Sequence, residues 1–216
     1  MGNDWYDAQR KKEVYCVEDE KVTTIGGSPN AEPMSPRNLQ VTNLADQIRL
    51  ATNFRSKVVG VAIKDRGAIL PAGHTGDAYW YDAGTGHFVT STHYYPSLPG
   101  WADAFNKRKL PDSLYKINWN TLYPIETYLQ SDRDNVAYEG RLMHEKAPVF
   151  PHELASQAGT NYGTISSTPH VNTLTLEFAK AAMRAEGLGR DEFTDLLAIS
   201  LSSPDYAGHQ FGPNSI

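Results

Sequence analysis

Two stretches of the chain carry the same rhythm of apolar positions. In the first, Leu44, Ile48, Ala51 and Phe54 recur at helical spacing behind Thr42 and Asn43, either of which can cap a helix. The pattern then switches to Val58-Val59-Gly60-Val61-Ala62-Ile63, a continuous apolar run rich in β-branched residues. That run predicts a buried parallel strand. In the second stretch, Leu174, Phe178, Ala181 and Ala182 share a face after Asn172, a candidate cap, and Gly187 is placed to stop the helix. Leu196-Leu197-Ala198-Ile199-Ser200-Leu201 then predicts a second buried strand. A helix followed by a buried strand, twice over, is the pattern of an α/β sandwich.

The residues between these stretches have a different character. Trp80, Tyr81, Phe88, Tyr94, Tyr95, Trp101, Trp119 and Tyr123 crowd together among glycines and prolines. Ala78–Asp82 and Phe88–Thr92 predict paired strands across a glycine-containing turn. Residues 67–170 are therefore expected to form an insertion or cap beside the α/β core, its aromatics used for packing. Residues 26–38 are rich in turn formers and predict a loop.

Composition narrows the partners. With 216 residues, 40% of them hydrophobic, the chain can bury a sizeable core. A formal net charge of -5 argues against a nucleic-acid scaffold as partner, and the short runs Arg10-Lys11-Lys12 and Lys107-Arg108-Lys109 fit a solvated surface. No apolar run approaches the roughly 18 residues of a membrane span. The opening residues have neither a charged nor an apolar signal-peptide region, so no signal peptide is expected in the chain as it stands. Met1-Gly2 is followed at position 6 by Tyr, which argues against myristoylation. One cysteine, Cys16, excludes an intrachain disulfide, and its strand-like neighbours mark it as a structural thiol.

Ligands in open α/β sheets bind beyond the carboxyl ends of the strands. Two places qualify. After the first strand comes Lys64-Asp65-Arg66. In an extended segment Lys64 and Arg66 would point the same way, two cations suited to a phosphate or carboxylate; a surface turn with a local salt bridge is the alternative. After the second strand, Asp205 and His209 lie four residues apart. If that segment is helical they share a face, and a carboxylate with an imidazole suits a divalent metal, zinc above all. The alternative is a capping aspartate and a surface histidine, and two ligands alone do not close a zinc site. His74, His87, His93, His144, His152 and His170 have no neighbour at ligand spacing and are expected in packing or surface roles. His74 stands out because it follows closely on Lys64–Arg66.

Taken together, these elements resemble the PafA-type bacterial alkaline phosphatases. The likeness is carried by Lys57 through His74, by Met34-Ser-Pro-Arg-Asn38, by Pro99-Gly-Trp-Ala-Asp-Ala-Phe105, by Thr194 through Ile216 and by the opening Gly2 through Asp7. It implies that residues 1–216 belong to one alkaline phosphatase-like domain, an α/β sandwich of helices on a parallel-rich sheet. It further implies that Asp205 and His209 are two ligands of one of two zinc ions. Lys64 and Arg66 would contact phosphoryl oxygens as catalytic residues, and Asn3 would donate to one. The expected substrates are small-molecule phosphate monoesters, with a phosphodiesterase or nucleotide pyrophosphatase as the alternative and a non-catalytic ligand-binding module as the alternative of another class. The family pattern places a threonine nucleophile and the remaining metal ligands outside this chain. The chain alone is therefore expected to be inactive and poorly soluble, a piece of a periplasmic or secreted enzyme. Its oligomeric state is left open.

Overall fold

The computed structural model describes residues 3–143 and 145–216; Met1, Gly2 and His144 lie outside them. In chain order the strands are β1 (Asp4–Asp7), β2 (Lys12–Tyr15), β3 (Thr24–Ile25), β4 (Val58–Ala62), β5 (Asp77–Asp82), β6 (His87–Ser91) and β7 (Leu196–Ser200). The helices are α1 (Leu44–Ala51), α2 (Asp65–Ala72), α3 (Gly100–Lys107), α4 (Leu110–Leu114), α5 (His170–Ala185) and α6 (Ser203–Phe211). The chain divides into two units: Met1–Arg108 with Thr175–Ser200, and Lys109–Leu174 with Leu201–Ile216.

The first unit is built on a five-stranded sheet of order β3-β6-β5-β4-β7. β4 runs parallel to both β5 and β7, while β6 pairs antiparallel with β5 and with β3. All five residues of β4 are buried, as its unbroken apolar sequence predicts. In β5 the pleat sends Ala78 and Trp80 into one apolar cluster with Val58, Ala62, Ala68, Ile69 and Ala72. Tyr79 faces the opposite side, where its ring lies 5.4 Å from Phe178 of α5 and 5.2 Å from Trp101 of α3. Both faces of the sheet are thus covered, giving an α/β sandwich with a mixed sheet.

Gly60 sets how closely α2 lies on the sheet. A Cβ there would stand 2.2 Å from the Ala68 carbonyl oxygen, so only glycine admits this approach. The hairpin β1–β2 stands apart as its own two-stranded sheet. Its turn is drawn by Asp7, whose carboxylate accepts from the backbone N–H groups of Gln9 and Arg10.

Three expectations change. α1 does not bury the stripe of Leu44, Ile48, Ala51 and Phe54: Leu44 is 69% and Phe54 50% exposed. Ala45 and Asp46 are its buried residues: Ala45 joins the apolar cluster, and Asp46 holds the polar contacts. Asn43 does cap it, in a reciprocal capping box with Asp46. β7 is not fully buried, since it ends the strand order and has a strand neighbour on one side. β5 and β6 lie within the stretch 67–170 and are strands of the main sheet, and the second unit begins at Lys109. α5 also starts earlier than the Asn172 cap expected, at His170.

The second unit has little regular structure. Short 3-10 turns at Ile125–Thr127, Ala155–Gln157 and Thr164–Ser167 accompany α4 and α6. Trp119 and His152 exchange backbone hydrogen bonds of 3.0 and 2.9 Å. Their rings pack with Phe150 and Phe211 into an aromatic core. The buried Tyr115 hydroxyl donates to the Asn161 carbonyl and accepts from the Ile165 N–H, which satisfies a polar group that burial would otherwise penalise.

Candidate functional site

Lys64 lies two residues past the carboxyl end of β4 and is the N-cap of α2. It has extended backbone angles, but Asp65 and Arg66 are already the first helical residues. The alternation expected of an extended Lys-Asp-Arg segment therefore does not apply. The strand instead delivers the three side chains into the first turn of a helix, where backbone N–H groups and the helix dipole favour negative charge. Both Lys64 and Arg66 are half-buried.

A side chain not singled out from sequence braces this turn. The Tyr15 hydroxyl donates to Asp65 Oδ1 at 2.6 Å and accepts from Arg66 Nη1 at 2.8 Å. Burial, with the bond to Asp65, pushes the Tyr15 hydroxyl well above the ordinary phenol range, so it stays protonated. For Arg66, burial pulls the guanidinium down, but the contacts with Tyr15 and the neighbouring charge of Asp65 together raise it, and the net shift is upward. The only sequence signal for Tyr15 is its place on a strand beside Cys16; no local motif announces a contact 51 residues away in the chain.

Asn3 reaches the same neighbourhood through the hairpin. Its carbonyl accepts from the Cys16 N–H at 2.9 Å, and the next pair in register is Asp4 opposite Tyr15. Asn3 is exposed. The structure thus brings Asn3, Lys64 and Arg66 onto elements joined by Tyr15. Cys16 is half-buried, and burial pushes its thiol up, in keeping with a structural role.

His74 serves the scaffold. Its Nδ1 lies 2.9 Å from Asp46 Oδ2 and its Nε2 lies 2.7 Å from the Leu39 carbonyl. Asp46 also accepts from the backbone N–H groups of Asn43, His74 and Thr75. The Asp46 and Leu39 acceptors raise the His74 pKa. Burial would raise that of Asp46, but the hydrogen bonds from His74 and the backbone bring it below the usual value.

In the second unit, Asp205 and His209 lie one turn apart on α6, with Nε2 and Oδ1 separated by 3.7 Å. The helical condition on their pairing is met. Both are exposed, Asp205 by 53% and His209 by 82%. The helix that carries them is fixed at both ends. Ser203 is buried, and its hydroxyl donates to the Thr168 carbonyl at 2.8 Å. Phe211 is buried against Trp119 and His152. Gly212 ends the helix at φ +100°, where a Cβ would stand 2.8 Å from the Tyr138 ring. Two zinc ligands bound at about 2.0–2.1 Å in tetrahedral geometry stand slightly closer than this pair, so a small rotamer change would let both reach one ion. The donor types and geometry fit a zinc half-site. Among the described residues no group of three or more His, Cys, Asp or Glu side chains is placed to hold a metal. No helix among them is long and apolar enough to cross a membrane.

The fold and these residues define a class. The type I phosphodiesterase / nucleotide pyrophosphatase family model matches residues 1–216, and the chain belongs to that family. Within it, the chain is 55% identical to alkaline phosphatase PhoV of Synechococcus elongatus over its whole length, and 51% identical to alkaline phosphatase PafA of Elizabethkingia meningoseptica. A protein of Myroides odoratus named as a calcium-transporting ATPase is 50% identical. The chain spans 40% of the length of each of these three relatives. The crystal structure of PafA superposes with a TM-score of 0.95 at 50% identity, covering 99% of this chain and 42% of that one. A second PafA structure, of a variant with a threonine, an asparagine, a lysine and an arginine replaced, also gives a TM-score of 0.95.

Proposed function

We propose that this chain contributes the phosphate-binding residues and one zinc-binding pair of a phosphomonoesterase of the alkaline phosphatase type. The observation that carries this reading is the braced turn at the end of β4, where Lys64 and Arg66 enter the first turn of α2 beside Tyr15. A phosphate monoester dianion places more charge on its non-bridging oxygens than a diester does. Two cations at a helix N-terminus favour that added charge. Arg66 offers a planar fork, Lys64 a point charge, and Asn3 an amide donor. The PafA variant replaces an asparagine and a Lys-x-Arg pair, the same side-chain types in the same order as Asn3, Lys64 and Arg66. Asp205 and His209 would hold one of two zinc ions, which when bound supply Lewis-acid stabilisation of oxygen charge. The nucleophile and the other zinc ligands would lie in the remainder of a longer polypeptide, so the 216-residue chain alone turns over no substrate. Names of the relatives support the phosphatase reading, and a secreted or periplasmic enzyme fits it.

The test compares an aryl phosphate monoester with an aryl phosphate diester in the full-length natural protein. The monoester is expected to be preferred, and Lys64→Ala to reduce its kcat/KM by about 100-fold. The family description favours diester hydrolysis as the second reading. Preferential diester turnover, insensitive to Lys64→Ala, would establish that reading instead.

A further inference from the structure

We infer that Tyr15 is a positioning residue for phosphoryl-group recognition, holding the Arg66 guanidinium in place at the Lys64 turn from the hairpin that follows Asn3. The inference rests on the phosphomonoesterase reading and adds to it a residue outside the Asn3, Lys64 and Arg66 set.

The geometry is specific. One hydroxyl bridges two neighbouring side chains of the first turn of α2, donating to Asp65 and accepting from Arg66. An arginine has several rotatable bonds, and its fork recognises an oxyanion only when its plane is set. Of the five N–H donors on a guanidinium, the bond to Tyr15 engages one and fixes that plane. The Arg66 Cζ also lies 6.0 Å from the Tyr15 ring centroid, within reach of a cation–π attraction. Tyr15 itself is anchored from the other side. It ends β2, pairs with Asp4, and its N–H donates to Glu18 Oε2. Its successor Cys16 donates to the Asn3 carbonyl. The hairpin therefore ties the backbone of Asn3 to the tyrosine that holds the guanidinium. A phenylalanine would fill the same space and leave the guanidinium plane without its hydroxyl partner.

The experiment uses the full-length protein with four forms: wild type, Tyr15→Phe, Arg66→Ala and the double variant. Each is measured for kcat/KM on an aryl phosphate monoester and an aryl phosphate diester, for inhibition by inorganic phosphate, and for zinc content. Tyr15→Phe is expected to lower monoester kcat/KM by about tenfold, to weaken phosphate inhibition in parallel, and to change diester turnover and zinc content little. In the Arg66→Ala background the same substitution is expected to do nothing further. Asp65→Asn, which weakens the anchor of the phenol, should shift monoester turnover in the same direction by less, and it carries the test if Tyr15→Phe fails to fold. Equal losses on monoester and diester, or a Tyr15→Phe effect that persists in full without Arg66, would overturn the inference. So would wild-type monoester turnover in Tyr15→Phe alongside a clear loss in Arg66→Ala. If Arg66→Ala itself leaves monoester turnover intact, it is the phosphomonoesterase reading that fails.

Discussion

The Lys64–Arg66 turn and the Asp205–His209 pair both follow strand ends, yet they are prepared to different degrees. The first is half-buried, built into a helix start and cross-linked by a tyrosine from a separate hairpin. The second stands on a helix whose ends are locked, while the two side chains themselves project into solvent. The chain orients Arg66, one of the two cations proposed to bind an anion, through its own Tyr15. For Asp205 and His209, the proposed metal pair, it fixes the helix that carries them and leaves both side chains largely exposed. Preorganised donors act without reorganisation at the moment of reaction, whereas an exposed carboxylate–imidazole pair gains its order from the ion.

The largest test of this contrast removes the proposed metal pair. Asp205→Ala or His209→Ala in the full-length protein should lose about one zinc equivalent and lower phosphomonoester turnover by more than about 100-fold. The melting of the first unit should be unchanged. Retained zinc with full activity would remove α6 from the site. Next in size is Gly60→Ala, which drives a Cβ into the Ala68 carbonyl and lifts α2 from the sheet. The expected cost is about 3 kcal/mol or more, the upper end for overpacking, because backbone cannot yield like a side chain. Denaturant unfolding would read it, and a neutral result would mean that α2 does not depend on this close approach.

The smallest effect lies at His74, behind the turn. Its raised pKa stabilises the fold fully below the unfolded value of about 6.5, and that contribution is lost as pH rises through the folded value. Asp46, with its pKa lowered, contributes above about 3.9 and loses its share as pH falls. Wild type should therefore gain most over His74→Gln between about pH 4 and 6.5. The gain should stay below about 1 kcal/mol, since the imidazole is partly solvated. A difference that grows above pH 8 would contradict the sign.

Much of this was legible in the chain. β4 followed from its unbroken apolar run, β5 and β6 from two short strand-like runs across a glycine-containing turn, and the shared face of Asp205 and His209, once helical, from their spacing. What failed was burial that depends on polar partners. Leu44 and Phe54 gave α1 an apolar stripe, but the helix docks through Ala45 and a buried carboxylate, and periodicity carries no record of Asp46 meeting His74. The same holds for Tyr15, whose role comes from a contact across 50 residues of chain with Asp65. Lys64–Arg66 misled in a smaller way: alternate residues imply a shared face only in a strand, and the helix begins at Asp65.

β7 carries a consequence of its own. Being last in the strand order, it offers a ladder with one side taken by β4. Ile199 is 38% exposed along it. A sheet end of this kind acts as a template, because any extended segment aligned with it can extend the ladder. A strand added to this sheet would meet a five-residue ladder at β7 and only the two-residue strand β3 on the opposite side.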